Sequence, residues 1–122
     1  MLDDEAPIRA LAVRLLGVLG YQAEAVSTGS EAIDRYTRAR NEGRPFDLVL
    51  LDLTIPGELG GQHVLRVLRT IDPEVKAIVV SGYAADDVLA NYRAYGFKAV
   101  VTKPFTVEEL SAAVLDVANA HV

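Results

Sequence analysis

Apolar residues along this chain follow two alternating patterns, continuous runs and helix-spaced positions. Three segments, 46–52, 76–82 and 98–104, each contain a run of consecutive apolar residues, as in strands that a parallel sheet buries on both faces. A fourth segment, 21–26, alternates apolar and polar residues and predicts a half-exposed strand. Because helix-spaced segments separate these strands, the pattern predicts repeated βα units, in which helices cover both faces of a parallel sheet.

Helix-start and helix-stop signals separate the predicted strands. Pro7 suits a first helical turn, and helical spacing of apolar residues then continues to Gly20. Two T-x-x-E capping boxes predict the starts of two more helices. They are Thr28 with Glu31, for a helix through about Asn41, and Thr106 with Glu109, for the final helix. The other two helices are predicted for the segment with Val64, Leu65 and Leu68 and for residues 86–95, before Gly96.

The start of the chain is short for this pattern. The first helix needs a strand before it, but only Met1 and Leu2 precede Asp3. A buried strand usually has about five or six residues, so we expect a truncated first strand in a fragment of the fold. Residues 1–122 are predicted to form a single domain, because their length suits one core and no linker or repeat divides them.

Composition narrows the class of protein. Apolar residues make up 51% and charged residues 24%, which is typical of a soluble globular domain. The net charge of −5 disfavours binding to the backbone of nucleic acids. The absence of cysteine excludes disulfides and thiolate chemistry, and no apolar run approaches the roughly 20 residues of a membrane span. We therefore expect a cytoplasmic domain that contacts neither nucleic acid nor membrane.

Charged and hydroxyl side chains follow four of the predicted strands. The carboxyl ends of strands in a doubly wound sheet meet at one edge, where ligands bind. The residues at these ends are Asp3, Asp4, Asp52, Ser81 and Lys103. Three neighbouring carboxylates would repel one another, and one would take up a proton unless a cation offset the charge. Mg²⁺ prefers oxygen ligands and keeps several waters, so the sequence predicts a Mg²⁺ site at this edge.

These residue types are suited to phosphoryl transfer. Asp52 can act as a carboxylate nucleophile toward a phosphoryl group and form an aspartyl phosphate. Lys103 and the metal would neutralise the phosphoryl oxygens, and Ser81 would donate a hydrogen bond to one of them. No further catalytic group is required, since phosphoryl transfer depends mainly on positioning and electrostatics.

Four short motifs carry a resemblance to a known family. They are "DDE" at 3–5, "LLDLTIP" at 50–56, "VVSG" at 79–82 and "TKPF" at 102–105. In this order and spacing they resemble the receiver domain of two-component response regulators, over essentially the whole chain. The segment 81–97 further resembles receivers at the C-terminus of hybrid sensor histidine kinases.

The resemblance implies a fold and a set of site residues. The fold is a doubly wound (βα)5, flavodoxin-like α/β sheet with strand order 2-1-3-4-5. Asp52 is implied as the phosphoacceptor, with Asp3 and Asp4 as the acidic pair of the Mg²⁺ site. The backbone carbonyl of Thr54 is implied as a further metal ligand. Lys103 is implied to precede a cis peptide at Pro104.

The resemblance also implies partners and a mode of action. A histidine kinase or a histidine phosphotransfer domain would donate the phosphoryl group, and the loops and fourth helix would respond. A homodimer through the fourth-helix region, which includes Tyr92 and Tyr95, is a further expectation. The domain would catalyse only its own phosphorylation and dephosphorylation. In a hybrid protein the parent would be a histidine kinase, and the domain could then be attached to a membrane-bound sensor.

Two features of the chain depart from the commoner family pattern. Val100 stands where many receivers carry a Tyr or Phe that moves inward on phosphorylation, so that aromatic switch cannot operate here. Tyr83 is a candidate for partly replacing it. The loop 56–61 reads "PGELGG" where P-x-M-D-G is more usual, and it has one extra residue.

Three other functions stay open at this point. One is a Mg²⁺-dependent phosphohydrolase that uses an aspartyl phosphate, although the second Asp of its D-x-D signature is replaced by Thr54 and no cap domain is present. Another is a receiver-like interaction module that is not phosphorylated. The third is a flavin-binding flavodoxin, which the carboxylates disfavour because a phosphate needs hydrogen-bond donors at that edge.

Overall fold

The computed structural model describes residues 1–53, 60–82 and 90–118 of the chain. Helices and parallel strands make up the described part. In chain order they are α1 (Ala6–Val18), α2 (Gly29–Asn41), β1 (Val49–Asp52), α3 (Gly61–Ile71), β2 (Ala77–Ser81), β3 (Ala99–Thr102) and α4 (Val107–Ala118). Among these described residues, no helix is both long and apolar enough to cross a membrane.

The strands form a parallel sheet in the order β1-β2-β3. On the free side of β1, Leu2 forms parallel bridges with both Leu51 and Val26. The N–H of Leu2 donates to the carbonyl of Leu50 at 2.8 Å, and its carbonyl accepts from the N–H of Asp52 at 2.9 Å. Leu2 therefore lies between Val26 and β1, which confirms the predicted order 2-1-3-4-5 and the truncated first strand.

The strand predicted for 21–26 is wrong except at its last residue. Val26 makes the bridge to Leu2, and residues 21–25 have no strand structure. A parallel strand is held by a ladder of hydrogen bonds to its neighbour, and here the neighbour contributes one residue.

A cavity of about 640 Å³ lies between residues 21–24 and 44–50. Leu68 and Val114 line it from the two faces of the sheet.

Two apolar cores lie on the two faces of the sheet. Adjacent strand residues alternate between them: Leu51 packs with α2 and α3, whereas Leu50 packs with α1 and α4. The three predicted runs therefore become strands, each shorter than its run; β1 and β2 are largely buried, whereas β3 is mostly half-buried. This burial on both sides is what makes β1 and β2 a rigid support for the residues at their ends.

The predicted capping boxes form at α2 and α4. At α4, the hydroxyl of Thr106 accepts from the N–H of Glu109 at 3.1 Å, and the Glu109 carboxylate accepts from the N–H of Thr106 at 3.2 Å. At α2, Thr28 accepts from the N–H of Glu31 at 3.2 Å. The Glu31 carboxylate there accepts from the Thr28 hydroxyl instead of its N–H, so only half of this box is made.

The helix predicted for 86–95 does not extend to its predicted end. Residues 91–96 are turns, in which the N–H of Gly96 donates to the carbonyl of Arg93 at 3.1 Å. Gly96 has φ of +101°, a conformation that favours glycine, and ends the segment as predicted. The next residue, Phe97, donates its N–H to Tyr92 and is 1% exposed. Burial of Phe97 thus favours tight turns here, while residues 83–89 lie outside the described part.

Candidate functional site

Asp52 is the last residue of β1 and is 3% exposed. The strand holds its backbone from both sides, because the Asp52 N–H donates to Leu2 and residue 52 pairs with Val80 in β2. The N-terminus of α3 packs directly against it. A Cβ atom placed on Gly61 would lie 2.6 Å from the carbonyl oxygen of Asp52, so only glycine allows α3 to start this close to the site.

Asp3 and Asp4 follow Leu2 and reach the same edge of the sheet. Asp3 is fully buried, and its Oδ1 accepts from the N–H of Glu5 at 2.8 Å. Asp4 is exposed. One carboxylate oxygen from each of Asp3, Asp4 and Asp52 lies within 4.8 Å of the others. The structure therefore brings together the three carboxylates that the sequence predicted, even though the first strand is truncated.

Lys103 is the cation that faces this cluster. Its Nζ lies 2.7 Å from Oδ2 of Asp3 and 3.4 Å from Oδ2 of Asp52. Partial burial favours the neutral amine, but the carboxylates of Asp3 and Asp52 outweigh it and raise the pKa of Lys103 above its ordinary value. Lys103 is thus held as an ammonium between two carboxylates.

Ser81 is the last residue of β2, and its side chain is buried at this edge. Its backbone carbonyl accepts from the N–H of Lys103 at 2.9 Å. This bond ties the end of β2 to the residue that follows β3. The peptide bond between Lys103 and Pro104 is cis, as the resemblance implied.

The residues at this edge fit a divalent cation. Oδ2 of Asp3 is buried, and its one charged contact within the described ranges is the Lys103 ammonium at 2.7 Å. Of the three carboxylates, those of Asp3 and Asp52 lie beside this ammonium, so the cluster has an excess of negative charge. A hard cation would satisfy the buried oxygen and offset the excess negative charge. The fourth predicted ligand, Thr54, lies outside the described residues, as does Tyr83.

Sequence reasoning missed two contributors to the site. Gly61 is one, and the only signal for it was the glycine pair Gly60–Gly61 before a helix-spaced segment. Glu5 is the other: its carboxylate lies 4.0 Å from Nζ of Lys103, at the limit of an ion pair. Tyr92 and Tyr95, predicted for a dimer surface, are half-buried against the core beside α2 and α3.

Comparison with known proteins agrees with this geometry. The family model described as "Response regulator receiver domain" matches residues 1–115. Sporulation initiation phosphotransferase F of Bacillus subtilis is 32% identical over 114 residues, which are 93% of this chain and 87% of that protein. The sensor kinase CckA of Brucella abortus is 33% identical over 114 residues, but the match covers only 12% of its length.

Solved structures give the same assignment. A response regulator receiver protein from Sinorhizobium medicae has a TM-score of 0.79 at 31% identity, covering 98% of this chain and 91% of that one. A receiver domain protein from Clostridium thermocellum has a TM-score of 0.86 at 27% identity, covering 97% and 90%. The chain therefore belongs to the response regulator receiver family and is a receiver domain of two-component and phosphorelay signalling.

Proposed function

We propose that Asp52 is the residue that accepts the phosphoryl group, within a single receiver domain formed by residues 1–122. One observation carries the proposal. A buried carboxylate at the end of a central strand lies beside two further carboxylates and 3.4 Å from an ammonium. Burying such a charge costs on the order of several kcal/mol. A cluster of this composition is suited to binding a cation and a phosphoryl group.

The reaction is a transfer between two side chains. An Oδ atom of Asp52 attacks the phosphorus of a phosphohistidine, a P–O bond forms, and the P–N bond breaks. The electron pair of the broken bond stays on the imidazole nitrogen, which takes up a proton. The donor is a histidine kinase or a histidine phosphotransfer domain. Lys103 neutralises charge on the transferred oxygens, and the Ser81 hydroxyl donates to one of them.

Asp3, Asp4 and Asp52 would hold Mg²⁺, together with the Thr54 carbonyl that the family resemblance implies. When bound, the ion supplies charge neutralisation at the phosphoryl oxygens. Asp3 is held for this role by its hydrogen bond from the Glu5 N–H, which fixes one oxygen and leaves the other directed at the cluster. Gly61 keeps the N-terminus of α3 packed against Asp52, so this helix borders the site on one side.

Phosphorylation then acts as a switch by changing the charge at the end of β1. A phosphoryl group brings roughly −1.5 to −2 charge at neutral pH. Lys103 now contacts Asp3 more closely than Asp52, and new oxygens on Asp52 would draw it and Ser81 toward them. These movements would reposition the loops at 53–61 and 82–87 and the helix predicted for 86–95. Dimerisation through the region of Tyr92 and Tyr95 would be one readout, measurable by sedimentation before and after phosphorylation.

The test is intact-mass spectrometry after incubation with acetyl phosphate and Mg²⁺. We expect one phosphoryl adduct on the wild-type chain and none on Asp52→Asn. Asp47→Asn is the matched control, because Asp47 is exposed just before the same strand and should leave the adduct unchanged. An adduct that survives Asp52→Asn, or no adduct on the wild type, would overturn the assignment. Steady release of phosphate from a phosphorylated metabolite would instead favour the phosphohydrolase.

A further inference from the structure

A second concave surface lies at the end of the sheet opposite Asp52. It is a groove of about 910 Å³ between the end of α3, the segment 93–98 and the C-terminal half of α4. Val75 and Phe97, which precede β2 and β3, contribute apolar side chains and are 4% and 1% exposed. Leu115 of α4 lines the groove and is 44% exposed. The groove therefore combines a buried apolar base with an exposed apolar wall.

Three cations line the same groove. They are Arg69, Arg93 and Lys98, all exposed. Within the described part of the chain, none of the three is ion-paired with a carboxylate; Arg93 instead lies over the ring of Tyr92 at 5.6 Å from its centroid. Among the described residues that line the groove, Asp116 is the one acid. In a chain of net charge −5 this is a local excess of positive charge.

Arg69 is positioned by the backbone of the turn. A Cβ atom on residue 96 would lie 2.7 Å from Nη1 and 3.3 Å from Cζ of Arg69. The glycine that ends the turn therefore also provides the space in which the guanidinium lies along the groove. The positive φ favours glycine at position 96, whereas the flexible end of the Arg69 side chain could move away from a Cβ atom there.

We propose that this groove docks an acidic amphipathic segment of a partner protein. Carboxylates of the segment would pair with Arg69, Arg93 and Lys98, and an apolar side chain would pack on Leu115. Charge complementarity favours an acidic partner over a second copy of the same groove. The apolar base and wall favour a protein over nucleic acid, because a phosphate backbone has nothing to bury against them. The groove lies away from Asp52, so this docking is independent of the proposed phosphoryl chemistry.

The test is fluorescence anisotropy of the full chain with a short fluorescein-labelled peptide of repeating Glu-Glu-Leu. We expect binding that weakens at high salt and falls about tenfold or more in the double variant Arg69→Glu/Lys98→Glu. Leu115→Ser should also weaken it. Arg66→Glu is the matched control: Arg66 is an exposed arginine of the same helix that does not line the groove, and it should change affinity little.

Each alternative has a distinct result. Equal binding to the wild type and to the Arg69→Glu/Lys98→Glu variant would overturn the proposal, as would a Lys-Lys-Leu peptide that binds equally well. Tighter binding of a labelled oligothymidine would show a nucleic-acid surface instead. Circular dichroism of every variant shows whether it is folded, and acetyl phosphate labelling of Asp52 should be unchanged in all of them.

Discussion

Asp72 and the cluster of Asp3, Asp4 and Asp52 differ in how their negative charge is balanced. Asp72, at the end of α3, has a partner for each oxygen: Oδ1 accepts from the N–H of Glu74 at 3.0 Å, and Oδ2 accepts from the hydroxyl of buried Tyr36 at 2.7 Å. Arg40 adds an ion pair at 3.3 Å. At the other cluster, Lys103 lies 2.7 Å from Asp3 and 3.4 Å from Asp52, and no ion pair joins it to Asp4 within the described residues.

The comparison distinguishes a carboxylate that stabilises the fold from carboxylates that form a site. The Asp72 cluster joins α2 to α3 and needs nothing more from solution. The Asp3–Asp52 cluster carries more negative than positive charge, so the protein alone leaves it suited to a cation and a phosphoryl group. Removing a charge should therefore have opposite effects in the two clusters.

The largest effect is expected for Asp72→Ala. The change leaves the buried Tyr36 hydroxyl without its acceptor, which costs about 2 kcal/mol of the free energy of unfolding. Urea denaturation measures this loss. Asp47→Ala, in an exposed position, should change the free energy of unfolding by less than about 0.5 kcal/mol. An equal loss of the free energy of unfolding in the two variants would mean that the Tyr36–Asp72 hydrogen bond contributes nothing to stability.

An effect of opposite sign is expected for Asp52→Asn. In metal-free buffer the amide removes one of three crowded negative charges and leaves Lys103 with Asp3 at 2.7 Å. The free energy of unfolding should rise by about 1 kcal/mol. Urea denaturation in the presence of a chelator tests this. A loss of stability comparable to that of Asp72→Ala would show that the two clusters are the same kind of structure.

Binding of Mg²⁺ should offset the excess negative charge of the Asp3–Asp52 cluster and so make its charge balance more like that of Asp72. Binding to the folded state alone adds about 1 kcal/mol when the free ion exceeds its dissociation constant about fivefold. We expect thermal unfolding of the wild type to shift upward on addition of Mg²⁺, and that of Asp52→Asn to shift much less. Asp72→Ala should keep the full shift. A shift retained by Asp52→Asn would place the ion elsewhere.

The smallest effect is expected in acid. The hydrogen bond from Tyr36 lowers the pKa of Asp72 below its ordinary value of 3.8, against the opposing effect of burial. This contribution to stability is present above pH 3.8 and is lost as the pH falls through the lower folded value. The unfolding midpoint in urea should therefore decline less steeply in Asp72→Ala than in the wild type as the pH is lowered through 3.8 and below. Parallel declines would contradict the pKa shift.

The sequence predicted most of the fold because local signals agreed with the final packing. Thr106 and Glu109 make a complete capping box at α4, and the apolar runs became strands, of which β1 and β2 are largely buried. The predictions failed where a neighbour decided the outcome. Residues 21–25 alternate as a strand should, but a single residue, Leu2, pairs with their segment. Residues 91–95 have helical spacing, but burial of Phe97 draws the chain into turns.

The residue types at the strand ends were determined by the sequence alone, because parallel strands always place their carboxyl ends at one edge. Asp3, Asp52, Ser81 and Lys103 could be named for that reason. Only the tertiary structure determined how far each carboxylate lies from the Lys103 ammonium. Lys103 lies nearer to Asp3 than to Asp52, and Gly61 brings α3 against the Asp52 carbonyl. These contacts join residues far apart in the chain, and distances between such residues depend on how helices and strands pack, which no local pattern encodes.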